Sequence, residues 1–340
     1  MAKHRLLTWL AFSASMMALV VIALGALTRL IDAGLGCPDW PGCYGHFVVP
    51  LTEQAKQLAA TQYPNTPLLS YKAWAEMIHR YAVSGLSAFI LCIVISIFWH
   101  QKIRSIYNVS LAILLLMLLC YQILLGQLTV TLKLFPLIVT QHLLGGFFIL
   151  AILWLLFLAS RADLFYHPNK GMLPWAMLAF LLVLLQVFLG AWTSTHYASL
   201  SCPDFPFCSP DQPWPTLLWK SIFQADFNPT VTYEGGILSL ANKQMIQMTH
   251  RLGALVVTCY LLIFIPIARI KLAPFPALVN LLMLILGLLC IQICFGIVNV
   301  LFKLPLASAI SHNVMAILLL LSILTLLFKL VLTEKRVLST

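Results

Sequence analysis

Four histidines carry the chemistry that this chain is equipped for. His79, His142, His250 and His312 each lie close to one end of a long apolar run, and they fall into two pairs. Ionisable residues inside apolar spans are expensive and are functional candidates by default. Two imidazoles per half, at similar depth on the second and fourth helices, suit the two axial positions of a haem iron. Neutral imidazole is a good iron ligand, and a porphyrin fills an apolar bundle core. Interhelical hydrogen bonds are the plainer alternative. Zinc fits less well, because a structural zinc site groups four ligands closely.

The residues around the histidines sharpen this reading. Glu76-Met-Ile-His79-Arg80 in the first half corresponds to Gln247-Met-Thr-His250-Arg251 in the second. A residue three positions before a helical histidine shares its face. One half therefore carries an ionisable group there and the other does not, which suggests one reactive and one supporting site. The alternative is that Glu76 only meets interfacial water at a helix start, where a carboxylate also suits the helix dipole. Arg80, Arg251, Lys133 and Lys303 are candidate cations for haem propionates. Cys37/Cys43 and Cys202/Cys208 each enclose five residues with two prolines. That spacing allows a bridge within each loop, which would stiffen the loop as a lid. A redox-active pair is the alternative, above all for Cys37/Cys43 beside Glu76.

These residues need helices to position them. Of the 340 residues 61% are apolar and 9% charged, against about 45–50% and 25% in soluble domains. That excludes an ordinary soluble protein and a disordered chain, and nine Cys are too sparse for a disulfide scaffold. A bilayer core needs about 20 apolar residues per helix, and eight such segments occur: 6–29, 76–99, 108–131, 139–160, 172–195, 246–268, 276–300 and 306–330. The first is read as a retained helix, not a signal peptide. Cys92, Cys120, Cys259, Cys290 and Cys294 lie within these segments and read as small buried hydrophobes.

The net charge of +10 would suit nucleic acid in a soluble protein, but its distribution argues otherwise. Short loops on one side hold Lys3, Arg5, Lys102, Arg104, Arg161, Lys170, Arg269, Lys271, Lys329, Lys335 and Arg336, with only Asp163 and Glu334 against them, an excess of +9. The positive-inside rule makes that side cytoplasmic, with both termini there. The opposite side bears two long loops, 30–75 and 196–245, and loops of that length are more often functional than mere connectors.

The chain also repeats itself at an offset of 165–171 residues. Gly25 and Thr28 return as Gly190 and Thr193. Cys37-Pro-Asp-Trp-Pro-Gly-Cys43 returns as Cys202-Pro-Asp-Phe-Pro-Phe-Cys208. Gln122, Gly126, Lys133, Leu134 and His142 return as Gln292, Gly296, Lys303, Leu304 and His312. The expected fold is an all-α polytopic membrane protein of two parallel-repeat four-helix bundles, residues 1–165 and 166–340. Four helices per half give both halves the same orientation, unlike inverted transporter repeats. Cofactors in such bundles are held by side chains on facing helices.

Taken in order, the eight spans, the Glu76-to-Arg80 motif, Gln247-Met-Thr-His250-Arg251-Leu-Gly-Ala, His142, His312 and the paired Cys loops resemble the haem A synthase family over nearly the entire chain. The resemblance implies oxidation of the C8 methyl of haem O to a formyl group by successive hydroxylations with water-derived oxygen. It implies that His79 and His142 take the substrate haem O in the first half, that His250 and His312 hold haem b for electron transfer in the second, and that Glu76 is the catalytic carboxylate. Haem O synthase as the delivering partner and a quinone or other electron acceptor go with it, and a homo-oligomer is compatible with it. The short stretch before the first span, without an Arg- and Ser-rich transit segment, points to a bacterial cytoplasmic (inner) membrane, with the haem sites on the periplasmic side.

Two other functions compete. A non-catalytic di-haem b-type electron carrier would share the histidines but has no use for a Glu76/Gln247 asymmetry. A transporter would show broken helices at the membrane midplane.

Overall fold

The computed structural model describes residues 2–161, 170–209, 227–228 and 230–331. Asp163, His167, Glu334, Lys335 and Arg336, and the expected boundary at 165/166, lie outside the described residues, as do the side chains of Lys3, His4, Lys102 and Lys170. Nine α-helices are present among the described residues: α1 Ala2–Leu30, α2 Glu53–Gln62, α3 Ser70–Trp99, α4 Ile106–Thr131, α5 Pro136–Ser160, α6 Leu173–Thr195, α7 Leu240–Lys271, α8 Pro276–Leu301 and α9 Leu306–Val331. All but α2 are long and apolar enough to cross a membrane, and the chain is a multi-pass membrane protein. No strand occurs among the described residues beyond an isolated bridge between Cys43 and His46.

The helices form where the bilayer leaves the backbone no other partner. Their internal hydroxyls obey the same constraint: Ser15, Thr28, Thr193 and Thr258 each donate to the carbonyl four residues earlier on the same helix. Local chemistry sets the starts. Thr52, Ser105 and Ser239 accept from the backbone N–H three residues on, the usual N-cap bond. Several helices begin earlier than hydropathy indicates, most of all α3, at Ser70 instead of 76, and α7, at Leu240 instead of 246; Ser239 caps the start of α7, whereas Leu69 gives α3 no side-chain cap.

The described residues fall into two compact units, Met1–Leu150 with Phe223–Leu238, and Ala151–Ile222 with Ser239–Thr340. In the first, α3 packs on α1 and α4. α5 approaches closely through two glycines: a Cβ at Gly146 would lie 4.0 Å from Ile22 of α1, and Gly145 faces Gln122 of α4. The first long loop folds over this unit, burying Cys37, Cys43, Tyr44 and Val49 against Ala73 and Met77 of α3. Residues 227–238 also belong here. Tyr233 is buried against Leu134 and Phe135, its N–H donates to the Lys133 carbonyl at 3.0 Å, and Glu234 pairs with Lys72 at 3.4 Å.

In the second unit α6 packs on α7, α7 on α8, α8 on α9 and α9 on α6, a closed ring of four. The far part of α5 joins it through a bond from Trp154 Nε1 to Thr325 Oγ1 at 2.9 Å. Pro266 lies inside α7 without interrupting it.

The two units share irregular features as well as helices. Each Cys loop is closed by a disulfide, Cys37–Cys43 and Cys202–Cys208. Cis peptides precede Pro41 and Pro206. The repeated Lys-Leu pairs end α4 and α8: Lys133 and Leu134 have φ of 48° and 64°, Lys303 and Leu304 of 55° and 61°. Leu134 and Leu304 N–H groups then return to the carbonyls of Thr129 and Asn299, both at 2.8 Å. Both lysines are exposed. One expectation is corrected. Cys92, Cys120, Cys259, Cys290 and Cys294 are exposed, not buried, because the outer wall of a membrane bundle meets hydrocarbon and suits a thiol as well as the core does.

The left-handed turn gives a test. Lys303→Val should destabilise further, because a β-branched side chain is tolerated less well than lysine at positive φ, whereas Lys303→Gly should be near neutral, as relief of the penalty of about 1–2 kcal/mol that lysine already carries is set against glycine's entropy cost of roughly 0.5–1 kcal/mol. Thermal unfolding in detergent measures both, and a neutral valine would refute the strain.

Candidate functional site

The histidines come from the second and fourth spans of each unit. His79 lies on α3 and His142 on α5; His250 lies on α7 and His312 on α9. His79 and His142 are within electrostatic reach of one another, as are His250 and His312. All four rings are half-buried, and the Nδ1 atoms of His79, His142 and His312 are buried with no side-chain partner.

Each ring lies against a glycine of a neighbouring helix. A Cβ at Gly25 would stand 3.0 Å from His79 Cε1, at Gly190 3.1 Å from His250 Cε1, at Gly126 3.5 Å from His142 Cε1 and at Gly296 3.3 Å from His312 Cε1. These are the glycines that recur in the sequence. Their role is close approach, since a bare backbone leaves room for an imidazole between helices. The result is two nitrogen donors per bundle, directed by packing and set in apolar walls. That donor set fits a porphyrin iron held between two imidazoles.

Glu76 is buried near the start of α3. Its Oε2 accepts from the Cys37 N–H at 2.9 Å and its Oε1 from the Arg80 guanidinium. The carboxylate is thus wedged between an arginine and the disulfide loop. Arg80 also donates to the carbonyls of Asp39, Pro41 and Gly42. Arg251 makes the corresponding contacts in the second unit, to Asp204 at 2.6 Å, Pro206 at 3.2 Å and Phe207 at 2.8 Å. Its remaining terminal nitrogen, which in Arg80 meets Glu76, goes to the Cys202 carbonyl at 2.9 Å. Both arginines therefore clamp the Cys loops, and Arg251 keeps a buried, unpartnered Nε. Gln247 replaces Glu76, and its Oε1 is buried without a partner.

The loop over the first unit is tightly organised. Asp39 accepts from the N–H groups of Tyr44 and Gly45 at 2.6 and 2.9 Å. The Tyr44 hydroxyl donates to the Thr66 carbonyl at 3.2 Å. Burial first, then the carboxylates of Glu76 and Asp39, push that hydroxyl above its ordinary pKa, so it stays neutral. In the second unit His196 is buried after α6, with its ring 4.2 Å from that of Trp192. Burial pushes its imidazole below the usual range.

Sequence reading missed one contact. Gln186 of α6 places its Nε2 3.0 Å from His250 Nδ1 and 2.9 Å from the His250 carbonyl. The available signal was a polar residue inside a span, one turn before the repeated Gly190. Gln292, singled out only as a repeat partner, lies 3.2 Å from His312 Nε2.

Residues 8–324 match the family described as COX15-CtaA, cytochrome oxidase assembly protein. The haem A synthase of Shewanella oneidensis is 37% identical over 324 residues, covering 94% of this chain and 95% of that protein. Those of Bacillus cereus and Bacillus anthracis are 26% identical over 268 residues, 76% of this chain and 72% of theirs.

The clamps can be compared directly. Arg251→Met removes charged hydrogen bonds to loop carbonyls, worth roughly 1.5–3 kcal/mol. Arg80→Met also strands a buried carboxylate, roughly 3–5 kcal/mol. Hydrogen exchange in residues 202–208 and 37–43 should quicken in the respective variants, with the larger loss of stability for Arg80→Met. An equal or reversed order would show that the Glu76 pair adds nothing.

Proposed function

The chain belongs to the COX15-CtaA family of cytochrome oxidase assembly proteins, and from that premise we propose that it is a haem A synthase, an oxidoreductase that converts the C8 methyl of haem O to a formyl group. The observation that carries the assignment of roles is the carboxylate present in one unit only. Two bundles share paired histidines backed by glycines, but only the first sets a buried Glu76 three residues before its histidine. On this reading His79 and His142 hold the substrate haem O, and His250 and His312 hold a haem b.

When bound, haem b supplies an electron route away from the substrate. The protein's own groups do the rest. Glu76 sits where a proton released on C–H oxidation can be received, or where positive charge developing at the methyl carbon can be offset. Arg80 and the Cys37 N–H hold both of its oxygens, so its position follows the disulfide loop, and proton uptake requires the arginine contact to loosen. The loop covers Glu76, and water supplies the oxygen. The glycines fix the imidazoles, so ligation does not depend on side-chain rearrangement. The setting is a bacterial cytoplasmic membrane, with both termini inside and the haem sites toward the periplasm. Haem O synthase would deliver the substrate, and a quinone or another redox protein would accept electrons.

Protein loaded with haem O should yield haem A, or the hydroxylated intermediate, on extraction and chromatography. Glu76→Ala should keep bound haem and form product at least about a hundredfold more slowly, the scale of a lost acid–base group. A wild-type chain that binds haem b in both units and never forms a formyl haem would overturn the enzyme assignment. Full activity in Glu76→Ala would overturn the role of Glu76 alone.

A further inference from the structure

We propose that Phe47 and Val48 form a lipid anchor, which inserts into the bilayer at the level where α3 enters it and moors the Cys37–Cys43 loop there. The partner is the membrane itself. The inference needs neither a bound haem nor a catalytic role for Glu76.

The segment has the wrong composition for a loop in water. Residues 40–52 contain no Asp, Glu, Lys or Arg. Within them Phe47 is 77% exposed and Val48 50%, and Leu51 is exposed as well. Single exposed apolar side chains need no explanation, but a contiguous set marks an interaction surface. Val49, between them, is buried in the cluster that includes Ala73 and Met77 of α3.

Three contacts fix the segment in place. The chain turns back at Tyr44 and Gly45, with φ of 54° and 79°, the geometry of a two-residue hairpin turn. Cys43 and His46 exchange backbone hydrogen bonds across it at 2.7 and 3.2 Å. The Phe47 carbonyl then accepts from the Tyr81 hydroxyl of α3, and Val49 seats the chain on the same helix. Phe47 and Val48 are held between these points with their side chains outward.

Tyr81 gives the depth. Exposed residues recur along one face of α3, at Ile78, Tyr81, Ser84, Ala88, Leu91 and Ile95, and in a membrane-spanning helix that stripe meets lipid. α3 ends at Trp99, with Lys102 and Arg104 beyond it, so a hydrocarbon core of about 20 residues reaches back to Arg80. Tyr81 therefore lies at the other boundary of the core, where a ring with a polar tip is favoured. A main-chain bond to its hydroxyl sets Phe47 at the same boundary, continuous with the lipid-facing stripe. Apolar side chains placed there bind in proportion to the area they bury. The offset that takes His79 to His250 takes Tyr81 to Leu252, which has no hydroxyl to donate, so the second unit lacks this tether. The moored loop is the one whose Cys37 N–H meets Glu76.

The test uses Phe47→Trp in the full chain, reconstituted into phosphatidylcholine vesicles and read as the tryptophan emission added over wild type. Lipid brominated high on its acyl chain should quench that added emission. Lipid brominated near the chain end should quench it less, and acrylamide in the water only weakly. Val48→Trp is the second reporter should Phe47→Trp fail to fold, with the same expectation. Emission quenched by acrylamide and untouched by bromine would show a loop in water, and emission shielded from both would show a cover of protein; either overturns the inference. The mooring is read by hydrogen exchange of residues 37–43 in the same vesicles. Exchange should quicken in the double variant Phe47→Ser, Val48→Ser and stay near wild type in Phe47→Leu, which keeps an apolar side chain. Unchanged exchange in the double variant, or equal quickening in Phe47→Leu, overturns the mooring.

Discussion

A histidine ring between membrane helices needs space that ordinary side chains do not leave, and it must find that space without exposing the backbone to lipid. Helices meet this condition where a glycine removes the Cβ but keeps the backbone hydrogen bonded. Gly25, Gly126, Gly190 and Gly296 do so for all four rings. The interhelical distance, the depth of each imidazole and the direction of its nitrogens follow from those four contacts. The rest of each bundle can then be plain apolar surface, rich in leucine and tolerant of exchange. Close approach at small residues is a common way for membrane helices to associate; here the same contact also sets the geometry of the donors.

On this shared scaffold the two units differ at few polar positions. Glu76 faces Arg80 and the disulfide loop, where Gln247 leaves an oxygen unpaired. Gln186 lies against His250 with Gly253 beside it, where the first unit has Val21 and Ala82. The arginines keep their clamp on the Cys loops in both units. Duplication thus preserved what builds the site, and divergence touched a few side chains beside the histidines.

Much of this was legible in the sequence, for identifiable reasons. Spans were found because the bilayer core imposes long apolar runs, and the four histidines stood out because ionisable groups inside them are costly. The repeat showed which glycines belonged with which histidines. Other features were hidden. α2 has ordinary loop composition and depends on the Thr52 cap. The extensions of α3 and α7 are polar and helical at once. Lys133 and Lys303 suggested charge, while their backbone serves to end a helix in a left-handed turn. Arg80 and Arg251 suggested a ligand, and their guanidinium groups meet loop carbonyls that no spacing rule reveals. The free cysteines were placed in the core by a preference that, in a membrane, holds equally for the outside.

Residues 227–238 follow α6 in sequence yet complete the first unit, with Tyr233 seated on Leu134 and Phe135 and Glu234 paired with Lys72. This makes the first unit discontinuous along the chain. During synthesis its outer face stays open until α6 has been inserted and the segment beyond it has emerged. The upstream bundle is therefore finished by downstream chain, and the two repeats mature together even though each has its own core. Gene fission between the repeats would separate the first bundle from part of its own cover.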